Sequence, residues 1–480
     1  MTLPILVVDV GTSGVRAAIV QPDATVSHDH YREVLPRSPA PGFVEFDASV
    51  MAEAALDVAR RVLADGGPVA AVGIANQRAS TVVWDRATGD PVGPGVGWQD
   101  LRTAGVCLML QDQGIRLAPN VSATKAQFLL DMADPDRSRD LCFGTVDTWI
   151  AWTLSGRSAH VTDSTNAALT GLRTGDGAAW NQHVLDALRI PEAVLPAVID
   201  SSGVAGEARP RWLPAHRRHR RGPAGLAGRP GLHATGPGQD HLRHGRHARP
   251  LPRAAATVLR RAGGRDVPDH RLDEEREHGL GVEAIMLSAG TNIEWLRDDL
   301  GLIATSADSH DVAAQCSDTE GVVFVPALLG LGTPAWDYGA RGTLLGVTRG
   351  TGRAQVVRAV LEGIAQRGAD LVEAAEADGA TVIPTLRVDG GMSANPTFIQ
   401  ALADATQRRV EVSPVREATT LGAAFLAGLA IGTWADEHEI CATWRPRQSV
   451  EPGRPLDRAR WRDACSRSLR WVPELSALDF

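Results

Sequence analysis

Short β-branched runs alternate with helical stretches up to about residue 210 and again from Gly281, and nothing else limits the fold as strongly. Period-two runs interleaved with period-3.6 runs point to the α/β class, with sheets covered by helices. Ile5 to Val8 and Val15 to Val20 flank Asp9-Val-Gly-Thr-Ser-Gly14, which predicts a hairpin with a glycine tip. Met51 to Ala64 has helical spacing and stops before Gly66-Gly67-Pro68. Val69 to Ile74 and Thr81 to Trp84 read as strands, Ala123 to Met132 and Thr145 to Leu154 as helices. In the second half Gly321 to Pro326, Thr385 to Val388 and Arg409 to Val412 read as strands. Arg353 to Ala377 and Asn395 to Ala405 read as helices, and Ala418 to Ile431 as a small-residue helix suited to close packing. The polar tail after Trp434 fits either a terminal helix or a loosely held extension.

A chain of 480 residues is too long for one core and suits two domains. The net charge of −8 gives no general attraction to nucleic acid or anionic membrane, so neither is an expected partner. The five cysteines have no metal-ligand or disulfide-framework spacing and read as reduced thiols of a cytoplasmic protein. The opening residues lack a basic leader, and no run is long enough for an apolar membrane span.

Residues from about Arg211 to His278 break the alternation. This stretch holds eight of the fourteen histidines and fifteen arginines, and sustains neither period. The domain reading is therefore 1–210, an aberrant basic segment over 211–280, 281–436, and a tail over 437–480.

Two glycine corners carry the chemistry. In Asp9-Val-Gly-Thr-Ser-Gly-Val-Arg16 the glycines let backbone N–H groups approach phosphate oxygens. Thr12 and Ser13 add hydroxyl donors, Arg16 offers charge, and Asp9 can hold magnesium directly or through water. In Asp389-Gly-Gly-Met-Ser-Ala-Asn395 the paired glycines admit a flat ligand, and Asn395 can bond an adenine edge. Either corner alone is a common turn.

Together and in this order they resemble the FGGY carbohydrate kinases, most closely the glycerol-kinase members. Gly73–Asp85, Trp98–Thr103, Gly144–Trp149, His160–Asn166, Gly290–Arg297, Val325–Gly332 and Leu386–Gly391 are similar to that family's blocks, in family order. The resemblance covers about residues 4–208 and 281–436. It implies two actin-like (ribonuclease H-like) domains facing across a nucleotide cleft, ATP with Mg2+ as cofactor, and a small polyol or sugar as substrate. By resemblance Asp9 belongs near the metal, and Thr12, Ser13 and Arg16 near the phosphates. Gly290, Glu294, Gly391 and Asn395 belong to the nucleotide side, and Arg78, Ala79 and Asn120 to the substrate side. Self-association is left open.

Three positions depart from the glycerol-kinase pattern. Ala79 stands at a glutamate position, Asn120 at a tyrosine and Glu294 at a glutamine. A different polyol or sugar and neutral divergence both account for the first two.

The family's catalytic aspartate sits in a Gly-Asp-Gln-type turn, expected near Arg229, and is followed by a phosphate loop with a Gly-Thr-Gly core. Neither appears between Pro210 and Gly281, where Asp240, Asp266 and Asp269, the aspartates available before Asp273, lack the right neighbours. Reading the last two bases of each codon with the first base of the next changes this. Gly228 to Leu232 then permit Gly-Asp-Gln-Ala-Ser, and Gln239 to His247 permit Lys-Ile-Thr-Phe-Gly-Thr-Gly-Gly-Met. A shifted reading frame and a true basic insertion are the two readings. Either way the chain as it stands lacks the base, and an impaired kinase is expected.

A non-catalytic actin-like ATP-binding protein is the alternative function. A nucleic-acid binder acting through His216 to Arg221 is a weaker one, because no stacking aromatics interleave that run.

Overall fold

The computed structural model describes residues 3–175, 177–208, 284–379, 382–415 and 418–477, together with the backbone of strands Gly231–Thr235, Arg243–Gly245 and Thr257–Val258. These residues group into two compact units. Those within 1–239, 253–277 and 419–443 form the first, and those within 240–252, 278–418 and 444–480 the second.

The first unit is built on a five-stranded sheet. Strands β1 (Ile5–Val10), β2 (Gly14–Val20) and β3 (Val26–Glu33) form an antiparallel meander. Ala71–Asn76 lies parallel to β1 on its other side, and the backbone of Gly231–Thr235 lies parallel to Ala71–Asn76. Ile5 to Val8 are buried on both sides, as expected of a strand between two helical layers. Helix α1 (Ala48–Gly66) turns Met51, Ala55, Val58, Ala59 and Val62 toward the core at i, i+3 and i+4 spacing. Its start is fixed by Asp47, whose carboxylate accepts from Ser49 N at 2.9 Å and Val50 N at 3.1 Å.

The small-residue helix Ala418–Ile431 packs against this sheet from Thr419 onward. A Cβ on Gly73 would lie 3.0 Å from Ala423 O, so glycine is what lets strand and helix approach this closely. A second sheet joins Glu45–Phe46, Gly95–Val96, Thr81–Asp85 and Leu141–Thr145. Trp84 on it is fully buried against Trp149 and Trp152.

The second unit centres on a sheet ordered Arg243–Gly245, Thr385–Val388, Arg409–Val412 and Gln448–Val450. Helices Arg353–Gly379 and Pro396–Thr406 bury their apolar faces in this unit's core. The tail is docked by its helix Arg458–Ser468: Trp461 is 1% exposed and its indole N–H donates to Asp370 Oδ2 at 3.0 Å. Among the described residues no helix is long and apolar enough to cross a membrane.

Candidate active site

The β1–β2 hairpin forms as the sequence predicts. In register, Val10 faces Val15 and Asp9 faces Arg16, which leaves Gly11 to Ser13 as the tip. Gly11 N closes on Gly14 O at 2.9 Å. The tip is held from three sides. Gln77 donates its backbone N–H to Val10 O at 2.7 Å and its side-chain amide to Gly11 O at 3.2 Å. Val34 N and the Tyr31 hydroxyl both donate to Ser13 O, each at 3.0 Å. The Trp98 indole N–H reaches Thr12 Oγ1 at 3.4 Å. Arg16 is turned toward β3, where its guanidinium pairs with Asp29 and lies 5.6 Å from the centre of the Tyr31 ring.

Arg78 directly follows Gln77 and is half-buried. Ala79 has a left-handed backbone, φ 61°, which turns the chain sharply between two buried strands. Its carbonyl accepts from Ser122 Oγ at 3.0 Å. Ser80 Oγ donates to Gln77 Oε1 at 3.1 Å and accepts from Trp98 N at 3.0 Å. The fully buried Lys125 donates from Nζ to Trp98 O at 3.1 Å and Asn120 O at 3.0 Å. A path of hydrogen bonds therefore runs from Thr12 through Trp98, Ser80 and Gln77 back to Gly11. The structure brings Thr12, Ser13, Arg78, Ala79 and Asn120 into one neighbourhood of the first unit.

Buried charge surrounds this neighbourhood. Desolvation holds the Lys125 ammonium down to about 7 against the pull of Asp100. Arg102 bonds Asp100 at 2.8 Å and Glu45 at 3.0 Å, and its guanidinium lies over the Phe43 ring. Desolvation and the neighbouring Asp163 push the Asp147 carboxyl up to about 7, although Thr145 and Thr162 hydroxyls both donate to it. His160, half-buried with its Nε2–H donating to Phe143 O at 2.8 Å, is driven down to about 4 by desolvation. Asn166 links this block to the sheet through Asn76 Nδ2, 3.0 Å from its Oδ1.

On the second unit, Gly390 at φ 82° turns the chain out of strand Thr385–Val388. Gly391 opens the single turn Gly391–Ala394, and Asn395 caps helix Pro396–Thr406. Asn395 Oδ1 accepts from Phe398 N at 3.0 Å, and its Nδ2 donates to Ser309 Oγ at 2.9 Å. A side-chain amide offers two N–H groups and two lone pairs, so the cap leaves one of each for a ligand. Gly290 leads into the short helix Thr291–Glu294, and Glu294 is exposed. The position near Arg229 lies outside the described residues.

Sequence reasoning assigned no role to Gln77, Trp98, Lys125 or Tyr31. Gln77 and Trp98 lie within the blocks that carry the resemblance, and Lys125 is the single lysine near the substrate-side turn. Tyr31 reaches the tip only through the register of an edge strand, which no local pattern gives away.

Comparison with known proteins places these features in a family. The N-terminal domain model of the FGGY family of carbohydrate kinases matches residues 4–215, and its C-terminal domain model matches residues 249–431. The chain is 38% identical to the glycerol kinase of Dechloromonas aromatica (strain RCB), with 98% of each covered. It is 40% identical to that of Trichlorobacter lovleyi, with 98% of this chain and 99% of the relative covered. Among solved structures, Plasmodium falciparum glycerol kinase with ADP aligns with a TM-score of 0.73 at 23% identity, covering 98% and 99% of the two chains. Ligand-bound xylulose kinase from Lactobacillus acidophilus aligns with a TM-score of 0.72 at 18% identity, covering 99% and 98%. These likenesses establish a two-domain actin-like (ribonuclease H-like) fold.

Proposed function

Because the chain belongs to the FGGY family of carbohydrate kinases, we propose that its site serves transfer of the γ-phosphoryl group of ATP to a hydroxyl of a small polyol or sugar. The observation that carries this reading is the bonded path joining the Gly11–Gly14 tip, through Trp98 and Gln77, to the turn holding Arg78 and Ala79. Phosphoryl transfer asks for alignment of phosphate and alcohol more than for covalent chemistry by the protein. A tip braced by the substrate-side turn supplies that alignment.

In this reading the tip amides and the Thr12 and Ser13 hydroxyls meet phosphate oxygens, and Arg78 donates to hydroxyls of the alcohol. Arg16 adds charge behind the tip, and Gly290, Glu294, Gly391 and Asn395 take the nucleotide. Asp9 suits magnesium, which keeps most of its waters and takes only one or two protein carboxylates. No group of three metal-binding side chains occurs among the described residues, and Asp9 is the carboxylate this reading assigns to the metal. Magnesium held there would neutralise charge on the phosphate oxygens.

The missing base belongs to the same reading. The two family matches leave residues 216–248 between them, which include His216 to Arg221 and Arg229. We take residues 211–280 as the product of a shifted frame and the chain as it stands as a poor or inactive kinase. Sequencing the gene across codons 205–285 tests this: an insertion or deletion is expected, and an intact frame means a true insertion. A non-catalytic ATP-binding role is favoured by one observation, the absence of the Gly-Asp-Gln turn from the sequence.

Titration calorimetry separates the two functions. Binding of magnesium–ATP and of at least one alcohol from a panel reaching beyond glycerol is the expected outcome. Nucleotide binding with no alcohol favours the second reading, and binding of neither overturns both.

A further inference from the structure

Lys125 takes no part in the phosphate and alcohol contacts assigned above. It opens helix Ala123–Ala133, where a lysine would ordinarily reach solvent, yet it is 0% exposed. Its Nζ bonds no carboxylate among the described residues. It donates to two backbone carbonyls, Trp98 O at 3.1 Å and Asn120 O at 3.0 Å. Those carbonyls belong to separate loops, 27 and 5 residues away in sequence.

Both loops face the substrate side. The first presents Trp98, whose N–H and indole hold Ser80 and Thr12. The second presents Asn120 and, through Ser122 Oγ, holds the Ala79 carbonyl. A buried amine with two acceptors costs desolvation, and the stabilisation it returns is confined to the spacing of those loops. Even a neutral amine keeps two N–H donors, matching the two carbonyls.

We propose that Lys125 is a positioning residue that staples the Trp98 and Asn120 loops and so sets the width of the alcohol pocket. The proposal rests on the kinase reading for the identity of the ligand, and on geometry alone for the staple.

The test uses the full chain with Lys125→Met, which keeps length and apolar volume and removes the donors. Backbone amide exchange is expected to quicken at least tenfold over 98–101 and 120–122 while β1 and β2 keep their protection. Affinity for whichever of glycerol, erythritol, xylitol or D-xylulose the unaltered chain binds is expected to fall at least tenfold, with magnesium–ATP affinity held within twofold. Unchanged exchange in both loops, or exchange rising evenly through the first unit, overturns the staple. Equal loss of alcohol and nucleotide overturns the positioning role.

If Lys125→Met does not fold, Lys125→Gln decides, because its amide keeps two donors on a shorter stem. A partial loss of alcohol affinity alone supports the proposal, and no loss or an equal loss of both ligands overturns it. If the unaltered chain binds none of the four alcohols, the kinase reading fails on that result, and the exchange pattern still decides the staple.

Discussion

The ring of Tyr31 stands over Gly14 so closely that a Cβ on Gly14 would lie 2.3 Å from the phenol oxygen. The edge strand β3 thereby covers one side of the phosphate hairpin, with the Tyr31 hydroxyl 3.0 Å from Ser13 O. Tyr31→Phe removes one hydrogen bond while Val34 N still holds the same carbonyl. The expected cost is about 0.5–1 kcal/mol of stability. Gly14→Ala must displace the half-exposed ring as well, and is expected to cost more than Tyr31→Phe. Urea unfolding of the three proteins checks the order; an alanine variant as stable as the parent contradicts it.

The link between Trp98 and Thr12 is long at 3.4 Å, so its energy is small. A double-mutant cycle of Trp98→Phe and Thr12→Val is expected to give a coupling below about 1 kcal/mol but above zero. Strict additivity would mean that hairpin and substrate loop are not joined through this bond.

His160 makes stability depend on pH. Its Nε2–H donates to Phe143 O at 2.8 Å, and Arg86 donates to its Nδ1 at 3.4 Å, so the neutral ring is the form both partners fit. The ring is held near 4 in the folded state and titrates near 6.5 when unfolded. The unfolded chain therefore takes up a proton first, and stability falls as pH drops from 6.5 toward 4. About 2 kcal/mol is expected to go between pH 7 and pH 5 through this residue. Asp147, raised to about 7, works the other way and loses stability as pH climbs from 4 to 7. Comparing unfolding free energies of the parent and His160→Gln at the two pH values isolates the histidine. An unchanged slope contradicts the assignment.

The strand and helix order was legible because most of those elements are buried on a regular period. The α1 face shows it in sequence, while Ile5 to Val8 and the small residues of Ala418–Ile431 stand out instead as continuous apolar runs. Strand β3 did not, since Val26–Glu33 is a half-exposed edge rich in polar side chains. The tail gave two readings because its docking depends on partners distant in sequence: Trp461 and Arg458 meet Asp370, and Arg470 N and Ser476 Oγ meet Asp337. Thr12, Ser13 and Arg78 could be singled out from local motifs. The bonds that hold them could not, because Gln77 meets Gly11 across 66 residues and Trp98 meets Thr12 across 86. The pairing of Arg16 with Asp29 was likewise out of reach, because it depends on the register of β2 and β3.

A coupled ADP-release assay with the polyol and sugar panel bears most directly on the whole account. It compares the chain as it stands with one whose codons 211–280 are read in the shifted frame. The restored chain is expected to turn over at least one alcohol at an ordinary kinase rate, about 1–100 per second, and the present chain to be at least about a hundredfold slower. Ordinary turnover by the present chain, or none by the restored one, would contradict it.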